Sequence, residues 1–464
     1  MSSQTQPDPR HTAAGIRRLG AASVIGTTIE WYDFFIYGAC AALIFNDLFF
    51  PNTTPLVGTI LALTTYAIGF VARPVGGVVF GHFGDRIGRK KLLTISLILM
   101  GSSTVAIGLL PTFDTIGVAA PLLLTALRLV QGLALGGEWG GAVLIIAEQA
   151  PPRRRGLAAS LPQIGAPLGS VLATGTLALL TAVTTESDFQ QWGWRVPFLI
   201  SAVLVLVGFW IRISITESKV FTDAKQRDET RPSYDDASRT HTPINEVLTH
   251  HRRPLVQAVG SYIAINVLYY MVTAFTLVYV TTVGIHRDQA LLAILVASLV
   301  QVIAVPLCAV WSDRVGRKLP ALIGAVGMAL FSFVFFPMIG SSSTIVLTGA
   351  FVIGLLLHSL MYGPQAAFFT ELFPTRVRYT GISVGVQIAS VLGGSLAPII
   401  GTFLLDRFDS WVPIAIYMFT CAAITTAALC WAPETYRREL TDDDQRDEST
   451  RTTEASLAPS LDPN

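Results

Sequence analysis

Gly84-Asp85-Arg86-Ile87-Gly88-Arg89-Lys90 and Ser312-Asp313-Arg314-Val315-Gly316-Arg317-Lys318 are two copies of one loop, each following a long apolar run in its own half of the chain. Further matches keep the same order. Glu148-Gln149-Ala150-Pro151-Pro152-Arg153 answers to Glu371-Leu372-Phe373-Pro374-Thr375-Arg376, and Gln163-Ile164 to Gln387-Ile388. Order and spacing persist through all three, so the chain is one long duplication. The matched runs occupy even-numbered places in both halves and therefore share a direction. That makes the repeats parallel, related by an axis along the membrane normal.

The material between these landmarks is apolar. Of 464 residues 52% are hydrophobic and only 14% are charged, against roughly 25% charged in soluble domains. A net charge of +1 leaves no basic surface for nucleic acid. A bilayer core of about 30 Å takes about 20 apolar residues per helix. The sequence predicts twelve spans, near 20–48, 56–80, 92–110, 119–148, 157–182, 195–214, 255–281, 289–310, 319–338, 344–371, 382–405 and 411–431. Basic residues fall before the first span and after every even one, with Arg287 and Arg407 as exceptions. By the positive-inside rule both termini and every even-to-odd loop are cytoplasmic. The fold class expected is an all-α membrane protein of twelve helices in two six-helix parallel repeats. The divisions are an N-terminal segment 1–19, a bundle 20–215, a polar linker 216–253, a second bundle 254–432 and a polar tail 433–464. Cys40, Cys308, Cys421 and Cys430 sit in apolar stretches without metal spacing and read as small core residues. The polar start, Met1 to His11, lacks the order of a signal peptide.

The loop Gly81-His82-Phe83-Gly84-Asp85-Arg86-Ile87-Gly88-Arg89-Lys90 resembles the signature loop between the second and third helices of the major facilitator superfamily. Glu30-Trp31-Tyr32-Asp33-Phe34, Arg73-Pro74-Val75-Gly76-Gly77, Arg128-Leu129-Val130-Gln131-Gly132, Gly136-Gly137-Glu138-Trp139-Gly140-Gly141 and Trp192-Gly193-Trp194-Arg195-Val196-Pro197-Phe198 are similar to its metabolite–proton symporters. Members of that family carry shikimate, α-ketoglutarate, citrate and proline or betaine. The resemblance covers about residues 16 to 435, and the first half is closest to shikimate-permease-like members. It implies alternating-access symport of a small organic anion with a proton across the cytoplasmic membrane, by a multi-pass and monomeric carrier without cofactor or metal. Two alternatives stay open. An osmolyte carrier of the family bears a long coiled-coil tail, and the tail here has Pro433, Pro459 and Pro463 and no heptads. An exchanger motif expects glycine where Ala166 stands. An enzyme is not expected: HExxH, P-loop, nucleophile elbow and Cys/His cluster are all missing from the sequence.

Ionisable groups inside spans are the sharper signal, since each costs at least ~2.5 kcal/mol at the bilayer centre and should line a cavity. Asp33, Glu138 and Glu30 are the candidates for the coupled proton, because a carboxylate taken out of water holds a proton more readily. Arg128, with Arg73, offers forked donors for a substrate carboxylate. Gln131, Gln163, Gln387, Tyr362 and His358 are candidate substrate contacts. The rival reading of each charge is a buried ion pair that only holds helices together, and of His358 a packed, satisfied side chain. Gly81, Asp85, Arg86, Gly88 and Arg89, with Asp313, Arg314 and Arg317 of the second copy and Glu148 and Glu371, are expected to form a latch that holds one conformation and breaks in another. The bland alternative is that the basic members merely anchor topology.

Overall fold

The computed structural model describes residues 13–87, 89–136, 143–144, 146–148, 150–214, 243–341, 343–374, 377–438 and 440; side chains of 13–19, 22, 78–93, 211–214 and 243 are likewise outside what is described. The loop residues Gly81, Asp85, Arg86, Gly88 and Arg89, and Glu138, therefore lie outside the described side chains or residues.

Helices make up nearly all of the described chain, and twelve of them match the expected spans. In the first half these are α1 (Ala13–Leu43), α2 (Pro55–Ile87), α3 (Arg89–Leu109), α4 (Ala119–Leu135), α5 (Arg155–Ser160 continued by Gly165–Val183) and α6 (Arg195–Ser214). In the second they are α7 (Arg252–Tyr270 continued by Thr276–Thr282), α8 (Arg287–Val315), α9 (Lys318–Ile339), α10 (Thr344–Leu372), α11 (Arg378–Ala389 continued by Leu396–Phe408) and α12 (Val412–Trp431). Among the described residues, eight stretches are apolar and long enough to cross a bilayer by themselves. Of the rest, α1 carries Glu30 and Asp33, α3 and α4 have shorter apolar helices, Thr94–Leu109 and Ala119–Leu135, and α6 follows a bend of 44°. Leu206, Trp210, Ile303 and Leu330 are each more than 60% exposed on the outer surface. Such apolar exposure suits lipid and would be a liability in water.

The second and eighth spans run on to Ile87 and Val315, past the expected 80 and 310, and two further differences have a local cause. Span one ends at Leu43, not 48, because Ile44 leaves helical geometry (φ −143°, ψ −17°) and a separate turn, Phe45–Phe49, follows. Span five is broken where Pro162 opens a 3₁₀ turn, Pro162–Ile164, since its ring removes a backbone donor and clashes with the preceding turn. Spans seven and eleven each hold a wider π turn, Met271–Phe275 and Ser390–Ser395. Cys40 and Cys421 are buried, but Cys308 is only half-buried and Cys430 is exposed, so the core reading holds for two of the four.

Close helix packing is written in glycine. A Cβ on Gly132 would lie 2.2 Å from the Gly69 carbonyl oxygen, and one on Gly136 would lie 2.0 Å from that of Arg73. The α2 and α4 backbones thus meet directly, a contact that small residues allow in membranes. At the other end, Arg195 donates from Nη1 to the carbonyls of Gly108 (2.9 Å) and Leu110 (2.7 Å), capping the C-terminus of α3, where a cation also suits the helix dipole. Buried Trp194 lies under that guanidinium at 4.5 Å, and Tyr32 Oη donates to the Pro197 carbonyl at 2.9 Å. The Trp-Gly-Trp-Arg motif therefore ties α1, α3 and α6 together at one end. Between the halves, α5 packs on α8 and α2 on α11, the two contacts the duplication relates to each other.

Candidate functional site

The charges of the first half converge on a buried aromatic chamber. Asp33 of α1 is 1% exposed and Arg128 of α4 is 1% exposed. The two do not touch; a chain of polar side chains joins them. Arg128 Nη1 donates to Gln131 Oε1 at 2.9 Å. Gln131 Nε2 donates to Thr104 Oγ1 at 2.7 Å. Thr104 Oγ1 reaches Asp33 Oδ2 at 2.9 Å, and Ser201 Oγ donates to Asp33 Oδ1. Thr104 Oγ1 also lies 3.0 Å from the Met100 carbonyl. A hydroxyl has one hydrogen, so Thr104 donates to the carboxylate or to the carbonyl, not to both.

Arg128 keeps donors in reserve. Its carbon Cζ lies 4.2 Å from the Tyr37 ring, 4.6 Å from Phe34 and 5.0 Å from Tyr66, and neither Nε nor Nη2 has a hydrogen-bond partner among the described residues. Those two nitrogens form one edge of the guanidinium. Arg317 shows what that edge ordinarily takes: its Nε and Nη2 grip the two oxygens of Glu371 at 3.2 and 3.1 Å. A buried edge of this kind without an acceptor is costly. Arg73 of α2 lies over the opposite region of the same chamber, 4.5 Å from Phe34 and 4.6 Å from Phe70, with its own Nε unpartnered. Glu30, three residues before Asp33 in α1, is buried as well.

The second half faces this chamber with aromatic and neutral polar groups. Tyr270 stacks edge-on against Phe70 at 5.3 Å and Tyr66 at 6.2 Å, and Tyr269 meets Phe35 at 5.5 Å. His358 is 3% exposed, lies 4.9 Å from both the Tyr269 and Tyr362 rings, and has Nδ1 2.8 Å from Gln301 Nε2. Gln163, on the 3₁₀ turn of α5, is fully buried and neither side-chain atom has a partner among the described residues; Gln387 Oε1 of α11 is similarly unpaired. The structure thus joins Arg128 to Gln131 directly and both to Asp33 through Thr104, with Arg73 joined through Phe34. Tyr362 and His358 stand with Tyr269. Gln163 and Gln387 lie outside the hydrogen-bond chain, each on a stretch packed against the other half.

The cytoplasmic ends of the halves are bound by an ion network, buried around Glu371 and open to solvent at Glu148. Arg155 Nη1 pairs with Glu371 at 3.1 Å, Arg317 pairs with Glu371 at 3.1 Å and with Asp313 at 2.7 Å, and Arg378 pairs with Glu148 at 3.2 Å. The pairs Arg155–Glu371 and Arg378–Glu148 cross from one half to the other in opposite senses. Asp313 also accepts from the backbone N–H groups of Gly156 (2.8 Å) and Leu157 (3.0 Å), capping the start of α5 from the other half. Gly316 turns the loop at φ +100°, where a Cβ would come within 2.6 Å of the Glu434 carboxylate. Arg314 is a correction: it is exposed and makes no ion pair among the described residues, because it stands on the outward face of the α8 end.

Three features escaped sequence reading. Arg155 and Arg378 stand seven places after Glu148 and Glu371, a spacing the repeat itself preserves and that would have found them. Thr104 and Ser201 gave no signal, being ordinary hydroxyls in apolar helices. The segment after Pro433, expected to be solvated, is engaged in its described part. Glu434 accepts from the Arg317 and Lys318 backbone N–H groups at 2.9 and 3.1 Å, Thr435 donates to Glu371 at 2.9 Å, and Tyr436 Oη donates to the Asp313 carbonyl at 2.6 Å.

This network supports a prediction. Glu371→Gln leaves two buried guanidiniums without their shared carboxylate, a change that costs about 3 kcal/mol or more when the site is closed and much less when the groups are in water. Spin labels on the cytoplasmic ends of α4 and α10 should show the halves parted in a larger fraction of molecules. An unaltered distance distribution would mean that the network does not hold the closed state.

The Major Facilitator Superfamily profile matches residues 23–386 and 259–461. The inner membrane metabolite transport protein YhjE of Escherichia coli (strain K12) is 42% identical over 426 residues, covering 90% of this chain and 94% of that one. The shikimate transporter of the same organism is 38% identical over 412 residues, covering 88% and 92%. Its proline/betaine transporter is 32% identical over 429 residues, covering 92% and 85%. Among solved structures, a D-xylose-proton symporter superposes with a TM-score of 0.70 at 19% identity, over 92% of this chain and all of that one, which speaks for the fold. With twelve spanning helices among the described residues and relatives of this kind over about nine-tenths of its length, the chain belongs to the major facilitator superfamily, within its metabolite symporter family, and is a multi-pass membrane transporter.

Proposed function

We propose that this transporter carries a small organic anion together with a proton across the cytoplasmic membrane, by alternating access. One observation supports the reading above the others: the carboxylate-gripping edge of buried Arg128 has no acceptor among the described residues, while its Nη1 is wired through Gln131 and Thr104 to Asp33. An anion on Arg128 completes that guanidinium's hydrogen bonds. A proton on Asp33 changes what Thr104 can do. Against ionised Asp33 the hydroxyl donates to the carboxylate. Against protonated Asp33 it turns to Met100 and accepts instead. Gln131 donates to Thr104 in either state, so a shift of the Thr104 hydroxyl as it turns carries through Gln131 to Arg128. Asp33 is then the proton carrier and Arg128 the anion ligand, with Gln131 and Thr104 positioning both.

The shikimate transporter among the relatives makes shikimate the first substrate to try. A betaine-like cation is less well suited, because arginines already lie over the ring faces of Phe34, Tyr37 and Phe70 that would receive it. The test is uptake into proteoliposomes of labelled shikimate, α-ketoglutarate, citrate and betaine under an inward proton gradient. One of the three acids should accumulate and a protonophore should abolish the accumulation. Accumulation that survives the protonophore, or of betaine alone, would overturn the reading.

A further inference from the structure

Resting on that reading, we infer that Arg73 is a second anion station on the cytoplasmic side of Arg128, and that the substrate carboxylate passes from one arginine to the other along Phe34 as it leaves the chamber. The geometry begins at Gly69. A Cβ there would sit 2.7 Å from Arg128 Nε, so the Arg128 guanidinium lies flat against the α2 backbone at that level. Arg73 is four residues further along α2, one helical turn or about 6 Å closer to the cytoplasm. Both guanidiniums contact the same Phe34 ring, Arg73 at 4.5 Å and Arg128 at 4.6 Å, so they stand within about 9 Å of each other with the ring's negative face easing their mutual repulsion. Each has nitrogen donors without acceptors among the described residues, Nε on Arg73 and Nε with Nη2 on Arg128. The backbone spacing is fixed, since Gly132 and Gly136 seat α4 on the carbonyls of Gly69 and Arg73 themselves.

Transport gives this arrangement its use. An anion released by Arg128 toward the cytoplasm meets the packed rings of Phe34, Phe70 and Tyr270, which must part for it to pass. Leaving a sole positive partner for such surroundings is expensive. A second cation one turn away divides the step in two, and a ligand moves readily when sites are several and none holds it too well. A station needs positive charge more than a planar fork, so lysine should partly serve at position 73.

The experiment compares wild type with Arg73→Gln and Arg73→Lys in proteoliposomes, using labelled shikimate, α-ketoglutarate and citrate. Equilibrium affinity is read by binding, exchange by counterflow, and both are normalised to folded carrier. The station predicts counterflow slowed at least tenfold in Arg73→Gln, affinity changed by less than threefold, and a recovery of rate in Arg73→Lys. Wild-type counterflow in Arg73→Gln overturns it, as does a tenfold loss of affinity, which would put both arginines on the substrate at once. A lowered melting temperature with normal counterflow in the surviving protein also overturns it, in favour of a structural tie. A wild-type carrier that neither binds nor exchanges any of the three acids would refute the organic-anion reading first, and the station with it.

Discussion

Arg128→Lys is expected to cut uptake of a carboxylate substrate at least tenfold in protein that still folds. Lysine keeps the charge but loses the planar fork whose Nε and Nη2 edge is free to grip a carboxylate. It also loses the Nη1 contact to Gln131, the first link toward Asp33. A charge-assisted hydrogen bond contributes about 1.5–3 kcal/mol, which converts to tenfold or more in affinity. Among the described residues Arg128 has no carboxylate partner, so a purely structural ion pair finds no support there; Glu138 lies outside them. The check is shikimate, α-ketoglutarate and citrate binding by folded variant, with thermal stability measured alongside. Wild-type affinity in a destabilised Arg128→Lys protein would remove Arg128 from the site and leave Arg73 as the anion ligand.

Asp33→Asn is expected to abolish accumulation against a gradient while counterflow continues. Asparagine has nearly the shape of protonated aspartate: its Oδ1 can still accept from Ser201 while its Nδ2 donates to Thr104, but it cannot bind or release a proton. The carrier is held in one state of the relay. Substrate can exchange across the membrane, yet the proton gradient no longer does work on it. Accumulation and counterflow measured on the same proteoliposomes separate these effects. Concentrative uptake by Asp33→Asn would show that another group, Glu30 or Glu138 first, carries the proton.

The fold was legible because a bilayer imposes its own arithmetic. Spans of about 20 apolar residues and alternating basic loops, with a repeated loop at Asp85 and Asp313, left little choice of architecture. Where the reading slipped, local backbone chemistry decided. Pro162 broke span five, and Ile44 ended span one early. The site was legible in its charges, since Asp33, Arg73 and Arg128 are expensive wherever they lie within an apolar helix. It was not legible in its wiring. Thr104 and Ser201 look like any helical hydroxyl until α1, α3 and α6 are packed together. The engagement of Glu434 to Tyr436 was equally hidden, because a short polar stretch carries no periodicity to announce a docking place.

The most direct test of proton and anion moving together is a pH electrode in a lightly buffered suspension of proteoliposomes. On adding the transported acid, as its neutral salt and with no gradient imposed, wild-type carrier should alkalinise the medium as protons enter with substrate. Arg128→Lys and Asp33→Asn should both leave the pH flat, the first for want of substrate and the second for want of a proton site. Substrate entry by the wild type at unchanged external pH would contradict the account.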